Sequence, residues 1–385
     1  MSADSPFPEL KKTHSMARNG RPWRDYKPPP SAPVWGLIQG FGSYWALVAA
    51  VDLGVFDGTA RLGRCTNEQL AGQLNVSAVH LRHLLDALVT FGLLDQVDDD
   101  YALTETAERY LCSDGAATMA GLVRVAPGPL ENWEHLAQTI RSGTVETPIE
   151  RDPVAFYGPL VTATFPTQRR AATRLGASIG WSRRPGLRVL DLGAGRAPWA
   201  IAVLEQSSGS TAVVNDLVGI IELAAETLGH EGFSGRVELR PGDFHTIDIE
   251  PAHYDIVVLG HVCRTEGEER SKCLMRRAVD ALVPGGRLIV ADYFADNTRK
   301  LNPFGVQMGL TMLANTARGG LLTHQQVHGW LTDSGLEAIR LLEPIGFNQV
   351  YVAHKPVAHK PVDPEPVAHW LADDSPAPTT KDAPR

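Results

Sequence analysis

The sequence predicts an α/β protein, with a Rossmann-like parallel sheet in its second half and a mostly α-helical domain before it. The strongest observation is an apolar strand at 187–192 that runs into Gly193 and Gly195, followed by a helix-forming run at 199–205. Further apolar segments recur downstream, and each ends at an acidic residue or a glycine. The first half instead shows apolar residues at spacings of three and four, which is typical of amphipathic helices.

Length and composition limit the classes of function. At 385 residues the chain exceeds the size at which one hydrophobic core stops growing, so two ordered units are expected. The N-terminus is polar and basic and no apolar run reaches about 18 residues, which favours neither a membrane span nor a signal peptide. A formal charge of −8 argues against a nucleic-acid partner, since phosphate contacts require a basic surface. A cytoplasmic protein is expected, because none of the cysteines has the paired spacing of zinc sites or disulfide frameworks: Cys65, Cys112, Cys263 and Cys273.

The N-terminal region predicts an arm and then a long helix. Residues 1–33 are rich in Pro, Lys, Arg and Ser without apolar periodicity, so we expect a disordered arm. The helix is expected at 34–53, where large apolar residues recur near every third or fourth position: Trp35, Ile38, Phe41, Trp45, Val48 and Val51. A stripe this wide and aromatic packs in a core or against a second subunit, and we expect both at once.

Residues 34–125 have the element order of a winged helix. Thr66 and Gln69 form a capping-box pattern that starts one helix, 79–91 is a longer amphipathic helix, and a hairpin turns at 98–100. DNA binding is the obvious function of such a unit. However, the second helix carries no cluster of lysines and arginines, and the three aspartates of the wing would repel a phosphate backbone. We therefore expect no nucleic-acid partner.

Three further regions follow the winged helix. A helical connector is expected at 126–180 and the sheet-bearing domain at 181–355. The helical pieces of the connector are expected at 133–140, 152–157 and 167–179. Beyond the sheet the chain repeats Val-Ala-His-Lys-Pro and ends in Pro, Asp, Ala and Lys, so 356–385 is expected to be a disordered tail.

Residues at the strand ends predict a nucleoside site. The glycine turn lacks the third glycine of the dinucleotide fingerprint, because Ala197 and Pro198 occupy its place, which argues against NAD and for a nucleoside with little or no phosphate. Asp216 ends the next strand, where an acid can accept hydrogen bonds from ribose hydroxyls. Asp243 and Phe244 follow the third strand and suit the amine and the face of adenine. The candidate cofactor residues are Asp191, Gly193, Gly195, Asp216, Leu217, Asp243, Phe244 and Gly260.

In order and spacing, these motifs resemble the class I S-adenosylmethionine-dependent small-molecule methyltransferases with an N-terminal winged-helix dimerisation domain. That family includes plant phenolic and bacterial polyketide-tailoring O-methyltransferases, and the resemblance covers about residues 34–355. It implies a homodimer, S-adenosylmethionine as the cofactor, and a sheet closed by a hairpin at 337–342 and 348–354. The implied function is O-methylation of an aromatic or polyketide-like secondary metabolite. Alternatives are C-methylation of an enolate-like carbon, a non-methylating tailoring enzyme that retains the cofactor, and a ligand-sensing winged-helix regulator.

The chain departs from the family at the position of the catalytic base. The family pattern is similar to Gly-His-x-x-His-Ser-Glu-Gly-Glu, and residues 260–268 place Arg264 where the second histidine stands. Arginine cannot accept a proton near neutral pH. Three alternatives follow. Arg264 holds an anionic group of the substrate that accepts the methyl group, or His261 or Glu266 takes the proton in its place. In the third alternative, methyl transfer has been lost. Plainer roles are packing for His261 and an ion pair with Glu266 or Glu268 for Arg264.

Candidate residues on the acceptor side come from the connector and from an apolar segment at 303–315. By resemblance these are Phe156, Tyr157, Met308, Met312 and Asn315. Ordinary core packing is the alternative role for each of them, since methionine stripes are usually core. His324 and His328 lie four apart, a spacing that can bind zinc, but no third ligand accompanies them, so no metal is predicted.

Overall fold

The computed structural model describes residues 31–357. The arm expected at 1–33 and the tail expected at 356–385 therefore lie almost entirely outside the described residues. Five helices and three short strands form the N-terminal part: α1 (Ala32–Asp52), α2 (Val55–Leu62), β1 (Cys65–Thr66), α3 (Asn67–Leu74), α4 (Ala78–Thr90), β2 (Leu94–Val97), β3 (Asp100–Leu103) and α5 (Glu105–Leu111).

The two helices and the hairpin expected in this part are confirmed. The Thr66 hydroxyl accepts a hydrogen bond from the Gln69 backbone N–H, and the Gln69 side chain accepts one from the Thr66 N–H, so α3 begins with a complete capping box. Strands β2 and β3 pair antiparallel, and β1 joins the other edge of β3. Leu70 from α3 and Leu85 and Leu88 from α4 form the core of this part.

Helix α1 confirms the helix expected at 34–53, and only part of its apolar stripe enters the core of the described residues. Trp35, Ile38 and Phe41 are 58%, 57% and 73% exposed, whereas Val48 is buried. The reason is that only the second half of α1 lies close to α2 and α4. By length and composition alone, α1 also meets the criterion for a membrane-spanning helix, with a mean hydropathy of 1.4. Within residues 31–357 the first half of α1 is therefore an uncovered apolar surface.

The connector ends in one long helix where two separate pieces were expected. Its helices are α6 (Leu122–Val125), α7 (Leu130–Glu134), α8 (Leu136–Ser142) and α9 (Pro153–Ile179). The Asp152 carboxylate caps α9 by accepting a hydrogen bond from the Ala155 N–H. Pro159 and Pro166 lie inside α9. Proline lacks the N–H that a helix interior needs, yet α9 continues through both positions because it packs along α10.

The C-terminal part is a seven-stranded sheet with helices on both faces. Its strands are β4 (Arg188–Leu192), β5 (Thr211–Asp216), β6 (Val237–Pro241), β7 (Tyr254–Gly260), β8 (Leu282–Asp292), β9 (Glu337–Leu341) and β10 (Gln349–His354). Its helices are α10 (Pro198–Gln206), α11 (Ile221–His230), α12 (Cys263–Ala281), α13 (Pro303–Asn315) and α14 (His324–Asp333). The predicted α/β, Rossmann-like architecture is confirmed.

The strand order explains where a ligand can bind. The order is β6-β5-β4-β7-β8-β10-β9, with the first five strands parallel. The expected closing hairpin is confirmed, since β10 is antiparallel to both β8 and β9. The chain leaves β4 toward one edge of the sheet and later returns to its other side as β7. This reversal opens a crevice at the carboxyl end of β4.

Burial on both faces explains why the central strands appear in the sequence as continuous apolar runs. Val189, Leu190 and Leu192 of β4 are fully buried. Helix α10 is itself enclosed between the sheet and α9, and its Trp199 indole is buried beneath α9. The turn between β4 and α10 is therefore anchored on both sides.

The contact between α9 and the domain below it gives a test of the fold. A Cβ at Gly176 of α9 would overlap the buried indole of Trp181. We expect Gly176→Ala to lower the free energy of unfolding by about 1–3 kcal/mol, because the core there has no room for a methyl group. Gly329→Ala in α14 is the control, since a Cβ there meets no atom within 4 Å. It should be neutral or up to about 1 kcal/mol stabilising. Equal losses for the two variants in urea unfolding would contradict this packing.

Candidate active site

A cavity opens at the carboxyl ends of β4, β5 and β7, beneath α9. It encloses about 1170 Å³ of space, which includes part of its open mouth. The predicted residues that line it are Tyr157, Gly193, Gly195, Asp216, Leu217, Asp243, Phe244, Gly260, His261, Arg264 and Glu266.

The floor of the cavity is the glycine turn after β4. Gly193 and Gly195 have φ angles of 68° and 59°, a region that favours glycine. A Cβ at Gly193 would lie 2.5 Å from Val262 Cγ1, and one at Gly195 would lie 2.9 Å from Val161 Cγ1. Both positions therefore require glycine for conformation and for space, and the turn offers bare backbone to a ligand.

Asp216 lies beside this turn, at the end of β5. Its carboxylate accepts hydrogen bonds from the Gly195 and Leu217 N–H groups, both at 2.7 Å. Burial raises the pKa of Asp216 to about 6, although the two N–H donors oppose this effect. The carboxylate thus fixes the glycine turn and also lines the cavity, where its remaining lone pairs can accept from a ligand.

Asp191 does not have the position expected of a cofactor ligand. Its side chain is fully buried below the turn and does not line the cavity. One oxygen accepts a hydrogen bond from the Ala200 N–H at 3.1 Å, so the carboxylate holds the start of α10 against β4. Burial, and next the charge of Asp216, raises the pKa of Asp191 to about 7. Its place in β4 indicated a strand-end ligand, but the pleat turns its side chain away from the crevice.

Asp243 and Phe244 line the opposite side of the cavity floor. The Asp243 carboxylate accepts a hydrogen bond from the His245 N–H at 2.8 Å and stays partly exposed. Phe244 lies over the glycine turn, since a Cβ at Gly193 would be 3.4 Å from its ring. Gly260 ends β7 against the Trp199 indole, and a Cβ there would lie 2.8 Å from Nε1.

Arg264 forms a buried ion pair that its sequence neighbours did not suggest. Its Nη1 donates to Asp292 Oδ1 at 2.8 Å and to the His261 carbonyl at 2.9 Å. The guanidinium also lies 5.2 Å from the centre of the Tyr293 ring. Arg264 and His261 hold the pKa of Asp292 well below its usual range despite complete burial. The predicted pairing with Glu266 or Glu268 is wrong, because the end of β8 brings Asp292 closer.

The other two catalytic candidates are also engaged by neighbours. Burial lowers the pKa of His261, whose Nδ1 lies 3.7 Å from Asp292 Oδ1 and whose ring packs on Tyr293. Glu266 accepts from Arg270 and lies 2.8 Å from His245 Nε2. His245 could not be identified from the sequence, because nothing at 237–244 indicated that the chain turns it toward α12.

The acceptor-side candidates divide into one that lines the cavity and four that do not. Tyr157 lines it, whereas the lining does not include Phe156, Met308, Met312 and Asn315. The amide group of Asn315 donates to the carbonyls of Thr311 and Pro127 and accepts from Asn132. Asn315 therefore ties α13 to the connector, which accounts for its burial.

Helix α9 contributes lining residues that the sequence analysis missed. These residues lie on the same face of α9 as Tyr157, at three, four, seven and eleven positions after it: Leu160, Val161, Thr164 and Gln168. This helical spacing was a usable signal. It was missed because the helical pieces expected at 152–157 and 167–179 leave a gap that contains most of these residues.

Comparison with known proteins agrees with this arrangement. Residues 35–113 match the O-methyltransferase dimerisation domain and residues 185–337 match the O-methyltransferase domain. The chain is 30% identical to the N,N-dimethyltransferase OxyT of Streptomyces rimosus over 281 residues. The aligned region spans 69% of this chain and 80% of that protein. The chain belongs to the S-adenosylmethionine-dependent O-methyltransferase family.

Two further proteins are similar to this methyltransferase. The 3-hydroxy-5-methyl-1-naphthoate 3-O-methyltransferase of Streptomyces sahachiroi is 26% identical over 316 residues, 79% of this chain and 89% of that protein. Human N-acetylserotonin methyltransferase, solved in complex with S-adenosylmethionine, shares the fold with a TM-score of 0.71 and 22% identity, over 86% of this chain and 99% of that chain.

The cofactor of this methyltransferase is S-adenosylmethionine. The residues in the cavity fit such a nucleoside. The glycine turn leaves backbone uncovered, Asp216 has lone pairs beyond its two N–H donors, and Phe244 presents a ring beside a partly exposed Asp243 carboxylate. Neutral or singly charged nucleosides need acceptors and an aromatic face more than the phosphate-binding N–H cradle that dinucleotides need.

The pH dependence of stability tests the structural role of Asp191. With its pKa raised to about 7, folded Asp191 keeps a proton that the unfolded chain releases near pH 4, so its contribution to stability falls as pH rises from about 4 to about 7 and levels off above that. Asp191→Asn removes this titration but keeps an acceptor for the Ala200 N–H. We expect the stability of the variant relative to wild type to increase between pH 5 and pH 8, on the order of 2 kcal/mol. A difference in urea unfolding free energy that does not change with pH would contradict this role.

Proposed function

We propose that this enzyme methylates a hydroxyl group of an aromatic or polyketide-like secondary metabolite. The observation that supports the proposal is the single cavity in which the glycine turn, Asp216, Phe244 and Arg264 meet beneath α9. The Streptomyces sahachiroi relative is named for O-methylation of a hydroxynaphthoate, an acceptor of this class. The test is incubation with hydroxynaphthoates and S-adenosylmethionine carrying a labelled methyl group, with the methylated atom assigned by NMR.

The cofactor contacts follow from the side chains at the strand ends. Asp216 accepts from the ribose hydroxyls, which a carboxylate with two oxygens can do together. Asp243 accepts from the adenine amine, and Phe244 packs on the face of the base. The backbone at Gly193 and Gly195 lies along the amino-acid and sugar portions, with Leu217 and Gly260 completing the site.

Methyl transfer in this cavity depends on position more than on acid–base groups. When bound, the cofactor supplies an electrophilic methyl group on a sulfonium. The residues of α9 cover the cavity. This cover excludes water and also holds the methyl acceptor close to that methyl group. Alignment of two bound reactants can supply several kcal/mol of the barrier, about 7–11 in favourable cases. Three residues on the cavity wall face the acceptor: Tyr157 near the start of α9, and Arg264 and Glu266 in the first turn of α12.

We also propose a role for each region of the chain. Residues 34–125 are a winged-helix dimerisation domain, 126–180 a connector that roofs the pocket, and 181–355 the cofactor-binding domain. A second copy of the chain covers the exposed apolar half of α1, which explains its membrane-like composition. The enzyme then works in the cytoplasm as a homodimer without a nucleic-acid or membrane partner.

N-methylation is a second candidate function. The relative that is 30% identical is named an N,N-dimethyltransferase. An uncharged amine carries its own lone pair, so the replacement of a family base by Arg264 would not impede its attack. Labelling of an amine rather than a hydroxyl, when acceptors that carry both groups are offered, would favour this candidate.

Loss of the Asp216 carboxylate tests the cofactor assignment. Asp216→Ala should weaken binding of S-adenosylhomocysteine by about 1–3 kcal/mol, because ribose contacts are lost. This corresponds to roughly 5- to 150-fold in Kd, measured by titration calorimetry. Asp191→Asn is the matched control, since this buried carboxylate does not line the cavity, and its affinity should stay within about 0.5 kcal/mol of wild type. Unchanged affinity for the Asp216 variant would contradict the assignment.

The proposed dimer is tested by a charge on the exposed face of α1. Leu37 is 82% exposed in the single chain. Leu37→Asp should convert the dimer to a monomer in sedimentation velocity, because a carboxylate buried in an apolar interface costs several kcal/mol. Leu301→Asp is the control, since Leu301 is 79% exposed and lies outside α1, in the loop before α13, and this variant should remain dimeric. Dimers for both variants would place the interface elsewhere.

A further inference from the structure

The Arg264 guanidinium lies at the cavity position where the family pattern has a proton-accepting histidine. Its positive charge is compensated by the Asp292 carboxylate. Arg264 is fixed by Asp292 and by the His261 carbonyl, and both of these bonds use Nη1. Its Nε is buried and has no hydrogen-bond partner among the described residues. Guanidinium has five N–H donors and no acceptor, so this group can hold an oxyanion but cannot remove a proton.

The titratable groups around Arg264 are occupied or unsuited to accept a proton. Glu266 accepts from Arg270 and lies against His245, and the Glu150 carboxylate accepts from the Ala317 N–H. Burial raises the pKa of Tyr157 to about 12, so its hydroxyl stays protonated at neutral pH. The titratable groups that surround Arg264 from the neighbouring elements are Glu150, Tyr157, His261, Glu266, Asp292 and Tyr293.

His261 is the remaining candidate base, and its surroundings oppose protonation. Its side chain is 4% exposed, and burial and the charge of Arg264 both lower its pKa. Asp292 opposes this effect, but its carboxylate already has the Arg264 guanidinium at 2.8 Å. Protonation of His261 would therefore place a second cation in a buried site with one counter-charge, which is costly in a medium of low polarity.

We propose that this methyltransferase selects acceptors whose hydroxyl is already ionised, namely acidic phenols and enols, and that Arg264 positions the resulting oxyanion. The inference rests on the proposed methyl transfer to oxygen and narrows its substrate class. Asp292 has the supporting role, since it holds the guanidinium in place and limits its charge.

Methyl transfer to an ionised oxygen requires no proton-accepting side chain of the protein. The acceptor loses its proton to solvent before or on binding. A lone pair of the ionised oxygen then forms the new O–C bond while the C–S bond breaks, and its electron pair stays on sulfur, which loses its positive charge. No proton moves in this step, so no side chain has to accept one.

The pH dependence of turnover over a graded series of acceptors tests this inference. The probes are hydroxynaphthalenes with nitro, formyl, ester or methyl substituents, whose hydroxyl pKa values rise from about 6 to about 10, the upper value being that of a simple phenol. We expect kcat/KM of the wild-type enzyme to rise and reach a plateau with a midpoint that follows the pKa of each acceptor. A midpoint common to all acceptors, a rate that falls above the pKa of the acceptor, or no turnover of the whole series would overturn the inference.

Substitutions at Arg264 separate positioning from simple charge. Arg264→Lys keeps the charge but loses the planar donors, and we expect about a 10-fold or greater rise in KM for the acidic probes with the same pH midpoint. Arg264→His restores a titratable group, and we expect a new midpoint, common to all acceptors, together with relative gains for the least acidic probes. Unchanged KM in Arg264→Lys would argue against oxyanion positioning.

A binding measurement distinguishes failure of this inference from failure of the proposed function. Titration of the wild-type protein with S-adenosylhomocysteine tests the function by itself. The absorbance of a nitro-hydroxynaphthalene bound to that complex then reports whether the probe is ionised, with no turnover required. We expect the ionised spectrum at a pH one unit below the pKa of the free probe. Normal cofactor binding with the un-ionised spectrum would overturn the inference and leave the function intact.

Discussion

The fold and the site both depend on a close approach of three segments over the glycine turn after β4. Val262 from the β7 end and Val161 from α9 come so near that a Cβ at Gly193 or Gly195 would meet them at 2.5 Å and 2.9 Å. The carboxylate of Asp216 secures the turn from the third side. The turn is thus held rigid by packing that leaves its backbone uncovered, which is the condition for a preorganised nucleoside site.

The electrostatics of the cavity follow from which carboxylates are paired. Asp292 is fully buried but has the Arg264 guanidinium beside it, so it stays ionised, whereas unpaired Asp191 has a raised pKa. Asp216 and Asp243 place carboxylate oxygens on the cavity wall, and Arg264 places a guanidinium there, together with the Glu266 carboxylate. In the proposed function, Asp216 and Asp243 face the cationic cofactor and Arg264 faces the anionic group of the methyl acceptor.

Much of the sheet could be predicted from the sequence, because parallel strands buried on both faces leave continuous apolar runs. The number of residues between Gly195 and Asp216 also indicated where two of the strands end. Other features depend on contacts that no local pattern encodes. The partner of Arg264 is Asp292, 28 positions later on the neighbouring strand, and only the strand order brings them together. Helix α9 continues through Pro159 because tertiary packing outweighs a local propensity. The exposed face of α1 has the same composition as a core face, so periodicity alone could not distinguish the two.

A crystal structure with S-adenosylhomocysteine would show directly how the nucleoside binds at the glycine turn. We expect the nucleoside to lie along this turn, with its ribose hydroxyls within hydrogen-bonding distance of the Asp216 carboxylate and its adenine against Phe244. A nucleoside bound elsewhere, or bound here with its ribose turned away from Asp216, would contradict this expectation.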